Sequence, residues 1–457
     1  MSVSSLYRQV RHRVVSKTET VRTSPIARAA FLSTATDGLN AIAGLVYVIV
    51  STSLLYRYLG PARFGVWATV FSLTAALAFM DMGLGNAAIG ALARAMRRGS
   101  ATLVKTVLVA LMTASIGSGI LVMSLGLIAL HFYHIDRLFG FPPSDFSGEL
   151  QNFATMFAVL LGASFPINAM GQAMRGLQKG WVFNSARLLG FILATFGVWL
   201  GRSTESSLTV LLLLSFGVQQ SCNAVVCVIA LVRQTRNAGP LRASRVFRFI
   251  ARMLSSGGSY VLFNIARTFG WLLDYILVTR LLGPEAAAAL AIIQRMYQVV
   301  VMGYGILCAA LWPTYAYLVS GHESGRLKQA FLAGFSGTVS YALLASLLIF
   351  TFREDIAQLW LHTTVLPLTT AYALYAVWNI VEAAGSSFSI LLNAKGIVTR
   401  QAIAACVFAG VSFLLKLWVV PVHGLAGLAA STLAGYAVGF VVLLFLIRNV
   451  SLFSGRR

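Results

Sequence analysis

Long apolar segments alternate with short polar or basic segments along the whole chain. Twelve apolar segments are long enough to cross a bilayer as helices, which takes about 20 residues. Helices are the expected form, because backbone polar groups cannot stay unpaired in lipid. The pattern therefore predicts an all-α polytopic membrane protein. The predicted spans are 35–56, 64–81, 104–132, 152–172, 182–201, 207–232, 256–280, 286–317, 329–351, 366–392, 398–420 and 424–447.

The second six spans repeat features of the first six. Leu59-Gly60-Pro61 recurs as Leu282-Gly283-Pro284, and each motif marks a tight turn between the first two spans of its half. Leu177-Gln178-Lys179-Gly180 is echoed by Asn393-Ala394-Lys395-Gly396 at the inner end of each fourth span. Because the motifs agree in order, side and span number, they predict two repeated six-helix bundles of the same orientation.

The basic, polar segment with Gly239-Pro240 reads as the linker between the two bundles. The predicted organisation is a basic cytoplasmic tail at 1–28, an N-terminal six-helix bundle at 29–232, a cytoplasmic linker at 233–252, a C-terminal six-helix bundle at 253–449 and a second tail at 450–457.

The net charge of +22 first suggests a nucleic-acid partner, but the positions of the cations argue against one. With the N-terminus inside, 26 of the 35 Lys and Arg residues fall on the inner side and six on the outer side, and three lie within spans. Such a bias places both termini in the cytoplasm. Attraction to anionic lipid of the inner leaflet is a secondary effect. Membrane lipids, and no nucleic acid, are the expected surroundings.

Arg267, Asp274 and Arg295 lie within spans seven and eight. A charge at the bilayer centre costs from about 2.5 to more than 10 kcal/mol unless it is paired or faces water. Asp274 lies nine residues before Gly283 and Arg295 twelve residues after it, which gives them similar depths at about 1.5 Å per residue. A structural ion pair between Asp274 and Arg295 is the simplest interpretation.

Arg267 lies near mid-membrane, close to the level of Gln298. Polar side chains form a stripe on each of these two spans, and two such stripes on adjacent spans indicate a shared wet cleft. Arg267, together with Arg295, is the candidate for binding an anionic group, most plausibly phosphate. The candidate substrate-binding residues are Arg267, Arg295, Asn264, Gln298, Asn40 and Trp271.

Carboxylates in other spans are candidates for ion coupling. Asp37 and Asp81 lie at one level near the predicted cytoplasmic mouth, and Glu382 lies in the inner half of span ten. Protonation of such groups can couple transport to a proton gradient. The alternative is an interfacial carboxylate paired with a nearby cation; it is favoured for Asp81 and left open for Asp37. The candidate ion-coupling residues are Asp37, Asp274 and Glu382.

Enzymatic motifs are absent from the sequence. It contains no Walker sequence and no nucleophile-base arrangement, and the six histidines are scattered. The four cysteines lie in spans without paired spacing, which is typical of core-filling thiols. No catalytic residue, metal or bound cofactor is expected. No cleavable signal peptide is expected either, since residues 1–28 lack an apolar stretch.

The opening hairpin carries a family resemblance. Tyr58-Leu59-Gly60-Pro61-Ala62-Arg63-Phe64-Gly65-Val66-Trp67, followed after a span by Asp81-Met82-Gly83-Leu84-Gly85-Asn86-Ala87, closely resembles the first hairpin of Wzx-type polysaccharide-exporting flippases. These belong to the multidrug/oligosaccharidyl-lipid/polysaccharide (MOP) superfamily. Length, span number and inner termini extend the resemblance over essentially the whole chain.

The resemblance implies a bacterial inner-membrane protein with two six-helix bundles around a central cavity. It implies that the protein moves an undecaprenyl-diphosphate-linked oligosaccharide to the periplasmic leaflet by alternating access, for surface polysaccharide synthesis. A cationic cavity for the diphosphate suits Arg267 and Arg295, and Asp37 resembles the coupling carboxylate of related multidrug exporters. A proton or sodium gradient would drive the cycle, and a polysaccharide polymerase is a candidate partner.

Two other functions compete with this one. A cation-coupled multidrug exporter of the same superfamily usually carries cationic substrates, so the arginines within the C-terminal half argue against it. A membrane glycosyltransferase or polymerase normally presents catalytic groups on a sizeable outer loop. The longest outer loop here, at about 133–150, is short, so this function receives little weight.

Overall fold

The computed structural model describes residues 25–77, 84–135, 139, 147–236, 239–253, 266, 268–362, 368–450 and 452–453. Within these residues the regular secondary structure is helical. Eight of the described helices are long and apolar enough to cross a membrane. Two of the eight contain two spans each, because a glycine with non-helical backbone angles divides them. The predicted all-α polytopic class is confirmed.

The N-terminal half begins with the helix Pro25–Ala76, which is divided at Gly60 (φ 72°, ψ 172°). That backbone conformation is essentially restricted to glycine, and Pro61 starts the next helix with a preset φ. The predicted Gly60-Pro61 turn is therefore present. The spans of this half are α1 (25–59), α2 (61–76), α3 (Ala101–Phe132), α4 (Ser147–Gly176), α5 (Gly180–Ser203) and α6 (Leu208–Thr235).

The C-terminal half repeats this arrangement around Gly283 (φ 93°, ψ 169°). A π-helical turn at Thr268–Leu272 precedes its first span. The helix Val398–Ile447 is divided at Gly424 (φ 57°, ψ −141°). The spans are α7 (Asp274–Leu282), α8 (Pro284–Ser320), α9 (Ser324–Thr351), α10 (Thr369–Ala394), α11 (398–423) and α12 (425–447).

The described residues thus contain two sets of six helical segments, of which α7, with nine residues, is only the outer part of its predicted span. Most of the inner part of the predicted span 256–280 lies outside the described residues. Three described helices were not predicted from the apolar pattern: Leu84–Arg97 follows α2, residues 243–253 lie in the predicted linker, and Arg353–Leu361 lies between α9 and α10. We call the end of the molecule with the Gly60 and Gly283 turns the outer end, following the predicted topology, and the opposite end the inner end.

Each half has its own apolar core. In the N-terminal half, Trp67 of α2 stacks between Phe71 and Phe153, with ring centroids 5.1 and 5.2 Å away. Phe157 and Phe216 extend this cluster to α4 and α6. Aromatic pairs at such distances add stability beyond the burial of their area. The core of the C-terminal half is centred on buried residues of α8, α10 and α12.

The halves meet at the outer end, where α2 packs against the Gly283 turn. A Cβ atom on Gly65 would lie 1.7 Å from the carbonyl oxygen of Pro284, so this close approach requires glycine at position 65. The hydroxyl oxygens of Thr69 and Thr279 lie 2.6 Å apart across the same interface. Both contacts are within ten residues of a turn and therefore belong to the outer half of the molecule.

The short helix Arg353–Leu361 makes a second contact between the halves. The indole N–H of Trp360 donates to the carbonyl oxygen of Ile49 at 2.8 Å. The hydroxyl of Ser53 donates to the carbonyl oxygen of Trp360 at 2.6 Å. These bonds attach α1 to the C-terminal half, so the outer end is closed by contacts from two directions.

The helical stretch at 243–253 packs on the N-terminal half. Met253 is 3% exposed and joins the cluster that contains Leu108 and Met170. Lys105 of α3 donates a hydrogen bond to the carbonyl oxygen of Gly239 at 3.4 Å. We retain 29–232 and 253–449 as the proposed bundle boundaries and place the connecting segment against the first bundle.

Candidate functional site

Arg295 lies on α8 near the outer end, where α8 packs against the first hairpin. Its guanidinium donates a hydrogen bond to the hydroxyl of Thr52 on α1. It also lies over the ring of Phe64 on α2, with 5.2 Å between the guanidinium carbon and the ring centroid. Among the described residues, Arg295 forms no ion pair with a carboxylate. A guanidinium has five N–H donors, so this one retains donors for an anionic ligand.

Asp274 forms its ion pair with Lys416 of α11, so the predicted pair between Asp274 and Arg295 is wrong. The ammonium nitrogen of Lys416 lies 2.7 Å from Oδ1 of Asp274 and 2.6 Å from the carbonyl oxygen of Gly270. Equal depth on neighbouring helices does not determine which way each side chain points. Asp274 points toward α11, whereas Arg295 points toward α1 and α2.

A cavity of about 410 Å³ lies inside the C-terminal half and reaches α2 of the other half. Three predicted site residues line it: Asp274, Gln298 and Glu382. Arg295 lies outside its lining. The other polar lining residues are Ser72, Tyr275, Gln294, Tyr297, Tyr375, Asn379 and Thr432. The structure therefore brings three of the candidates together and places the Arg295 guanidinium at a separate position, against α1 and α2.

Glu382 lies between two cavities. It lines the 410 Å³ cavity and also a second one of about 170 Å³ among α10, α11 and α12. Tyr304 of α8 lies near its carboxylate and interacts with it electrostatically. A carboxylate with a cavity on either side has room for water or an ion next to it. This geometry suits the proposed coupling role.

Asp37 and Asn40 of α1 contact Asn184 of α5. The side-chain amide of Asn40 donates to the carbonyl oxygen of Asn184 at 2.9 Å, and that of Asn184 donates to Oδ1 of Asp37 at 2.9 Å. Asp37 also pairs with Arg175 of α4 at 3.1 Å. This is the interfacial pairing that the sequence left open for Asp37. Asn40 is 8% exposed and uses its amide to join α1 to α5.

Four of the residues named from the sequence have side chains outside the part of the chain that the structure describes. Asn264, Arg267 and Asp81 lie outside the described residues. The backbone of Trp271 lies in the π-helical turn, but its side chain is not described. The predicted cleft around Arg267 stays a prediction.

Sequence reasoning missed the role of Lys416 as partner of Asp274, although a signal existed. Lys416 lies eight residues before Gly424, and Asp274 lies nine residues before Gly283. Because both glycines form turns at the outer end, the two charges lie at the same depth at about 1.5 Å per residue. The Gly424 turn lies within a long apolar stretch and has no Gly-Pro motif, so the equal depth of Lys416 and Asp274 is hard to recognise from the sequence.

A further cavity of about 250 Å³ lies in the N-terminal half. Its polar lining residues are Thr74, Ser164, Asn168, Gln172 and Gln220. None of the described residues that line it carries a charge. In the described residues, no group of three or more His, Cys, Asp or Glu side chains is placed to hold a metal ion.

Solved structures of three membrane transporters share this fold. An inward-facing multidrug resistance transporter of the MATE family, within the MOP superfamily, matches with a TM-score of 0.69 at 13% identity over 89% of this chain and 96% of that one. The inward closed conformation of the lipid II flippase MurJ matches with a TM-score of 0.67 at 10% identity over 92% and 87%. An outward-facing MATE transporter matches with a TM-score of 0.60 at 16% identity over 95% and 98%. The chain shares the fold of these MATE transporter and MurJ flippase structures.

The sequence places the chain within this class. The model of the polysaccharide biosynthesis protein family matches residues 26–319, which is more than half of the chain. The chain therefore belongs to this family, in agreement with the resemblance of its first hairpin. No curated protein matches it.

Proposed function

We propose that this protein moves an undecaprenyl-diphosphate-linked oligosaccharide across the bacterial inner membrane for surface polysaccharide synthesis. The observation that carries the proposal is Arg295, an intramembrane guanidinium without a carboxylate partner among the described residues, at the junction of the two halves. An unpaired cation in lipid is costly unless it serves a ligand. A diphosphate is a ligand that a guanidinium binds strongly. Membership of the polysaccharide biosynthesis family and the fold shared with a lipid II flippase support the same substrate class.

The proposed substrate-binding set is retained from the sequence. Arg267 and Arg295 bind the diphosphate, and the neighbouring polar and aromatic groups contact the lipid-linked sugar. Gln298 lines the 410 Å³ cavity that opens toward α2, which supports its place in this set. The remaining members are Asn264, Asn40 and Trp271.

The proposed cycle is alternating access from the cytoplasmic to the periplasmic leaflet. Contacts between the halves at Gly65 and between Thr69 and Thr279 close the outer end, so they must separate before substrate leaves on that side. The higher TM-scores with the two inward conformations than with the outward one support a state closed toward the periplasm. A proton or sodium gradient drives the cycle through carboxylates, of which Asp37, Asp274 and Glu382 are the candidates.

The protein resides in the bacterial inner membrane with both termini in the cytoplasm, and we assign it no catalytic step. Its proposed partners are the lipid-linked glycan, the surrounding lipids and a polysaccharide polymerase. The cation bias of the loops supports the orientation.

Replacement of Arg295 tests the substrate assignment. In a strain without the wild-type gene, Arg295→Ala should abolish glycan export and cause the completed lipid-linked oligosaccharide to accumulate on the inner leaflet. Arg295→Lys keeps the charge without the bidentate geometry and should retain part of the export. Arg326→Ala, which removes an exposed cation of α9, is the matched control. Full export by Arg295→Ala would show that transport does not need this guanidinium, and the proposed substrate assignment would lose its main support. Loss of drug resistance without a glycan defect would indicate a multidrug exporter.

A reversible cross-link tests the transport cycle. In a background without the four native cysteines, Thr69→Cys with Thr279→Cys places two thiols at positions where hydroxyl oxygens lie 2.6 Å apart. Oxidation should stop flipping by holding the outer end closed, and reduction should restore it. Either single variant should be insensitive to oxidation. Unchanged flipping by the cross-linked protein would exclude opening at this interface.

A further inference from the structure

The ion pair between Lys416 and Asp274 is enclosed in the C-terminal half. The side chain of Lys416 is fully buried and that of Asp274 is 5% exposed. Compared with apolar residues of similar size, a buried pair adds little net stability. Stability alone is therefore a weak reason for two charges at this depth.

The oxygen atoms around the Lys416 ammonium are of the kind that bind small cations. One is a carboxylate oxygen of Asp274 at 2.7 Å, and the other is the carbonyl oxygen of Gly270 at 2.6 Å. Gly270 lies in the π-helical turn at Thr268–Leu272, where an i to i+5 hydrogen bond from Leu273 to Thr268 interrupts the regular α-helical pattern. Carboxylate and carbonyl oxygens are the ligands that hard cations prefer.

We propose that Lys416 is a resident cation that occupies a binding position for a monovalent cation. The ammonium makes with Asp274 and Gly270 the contacts that a sodium ion would otherwise make. This position in the C-terminal half therefore takes no sodium from solution, and its charge is covalently attached to α11. Under this proposal, sodium coupling falls to Asp37 or Glu382 and not to Asp274.

The surroundings make the position accessible once the lysine side chain is removed. Asp274 lines the 410 Å³ cavity, together with Tyr275, Tyr375 and Glu382. Truncation of Lys416 leaves a carboxylate next to a polar cavity large enough for a hydrated ion. An isolated buried carboxylate is strongly unfavourable, so it gains a cation or a proton.

The test is sodium binding to the purified full-length protein, measured with ²²Na⁺ and by thermal unfolding in sodium chloride against choline chloride of equal ionic strength. Wild type and Lys328→Ala, which loses an exposed lysine, should show no Asp274-dependent binding. Lys416→Ala should bind on the order of one sodium ion per chain and unfold at a higher temperature in sodium. Addition of Asp274→Asn to that variant should remove both effects. Lys416→Ser is a second small substitution that keeps the position open and adds an oxygen ligand.

Sodium binding by wild type that Asp274→Asn abolishes would overturn the proposal, because the ammonium would then not occupy the position. Folded Lys416→Ala or Lys416→Ser protein without sodium binding would overturn it as well. If neither variant folds, the wild type and Asp274→Asn can still be compared. Equal sodium binding by the two proteins agrees with the proposal, and a loss of binding in Asp274→Asn overturns it. None of these measurements depends on which substrate the protein transports, so their outcome is separable from that of the Arg295 test.

Discussion

Asp37 and Asp274 are both carboxylates associated with the first span of a half, yet their surroundings differ. Asp37 and its partner Arg175 have side chains that are 45% and 43% exposed. Asp274 and its partner Lys416 are 5% and 0% exposed. The first pair lies near the inner end of the N-terminal half, and the second is enclosed in the C-terminal half at the depth of the outer leaflet.

This difference in exposure suits Asp37 and Asp274 to different roles. Water screens the exposed pair, so its separation costs little, and the Asp37 carboxylate is accessible from solution. The buried pair is not screened, and loss of one partner leaves an uncompensated charge. Asp37 is therefore suited to respond to a gradient, whereas Asp274 carries a fixed internal counter-charge.

The largest expected effect is the removal of one partner of the buried pair. Lys416→Ala should destabilise the protein by roughly 3–5 kcal/mol in choline chloride, because Asp274 remains buried without a cation. Thermal unfolding in detergent measures the change, and Lys328→Ala is the control for loss of a lysine. An unfolding temperature equal to that of the wild type would mean that the pair is not enclosed.

Removal of both charges should undo most of that loss. Asp274→Leu combined with Lys416→Met replaces the pair with apolar side chains of similar size and should unfold within about 2 kcal/mol of the wild type. The same unfolding experiment compares the double variant with each single one. If the double variant were as unstable as Lys416→Ala alone, packing around Lys416 would explain the effect better than charge.

The exposed acid should affect transport more than stability. Asp37→Asn keeps an oxygen to accept the hydrogen bond from Asn184 but cannot ionise. Flipping in vesicles should therefore respond less to an imposed pH gradient, with little change in unfolding temperature. Asp355→Asn, at an exposed position of the short outer helix, is the matched control. A full response by Asp37→Asn would transfer the coupling role to Glu382.

The smallest effect is expected for the partner of Asp37. Arg175→Ala removes a half-exposed ion pair and should cost less than about 1 kcal/mol, decreasing further as salt is added. Unfolding at low and high ionic strength measures it. A loss comparable to that of Lys416→Ala would show that exposure does not distinguish the two pairs.

Hydrophobic length and turn chemistry predicted most of the fold. The twelve spans follow from apolar segments of membrane-crossing length, and the breaks at Gly60 and Gly283 follow from glycine next to proline. Both signals are local, so neighbouring helices do not alter them. The sequence predicted the break between spans eleven and twelve at 421–423, and the structure has it at the adjacent Gly424, which is not followed by proline.

The site was predicted less completely. Gln298, Glu382 and Asp274 do line one cavity, as polar residues on inward helix faces should. The predicted partner of Asp274, Arg295, was wrong. The depth of a residue along a helix can be counted from a turn, but the direction in which its side chain points around the helix axis cannot. The contact of Trp360 with α1 was not foreseen, because it joins residues more than 300 positions apart.

The sequence alone determined the class of protein, the number of spans, their outer turns and the residue types available for chemistry. These features depend on the hydrophobicity and the backbone conformational freedom of single segments, and not on contacts between segments. The tertiary structure decided which charges meet: Lys416 neutralises Asp274 and Arg175 neutralises Asp37. Among the described residues, Arg295 contacts a hydroxyl and an aromatic ring and pairs with no carboxylate. Pairing depends on the rotation and packing of helices that are distant in sequence, because a side chain interacts only with groups a few ångströms away.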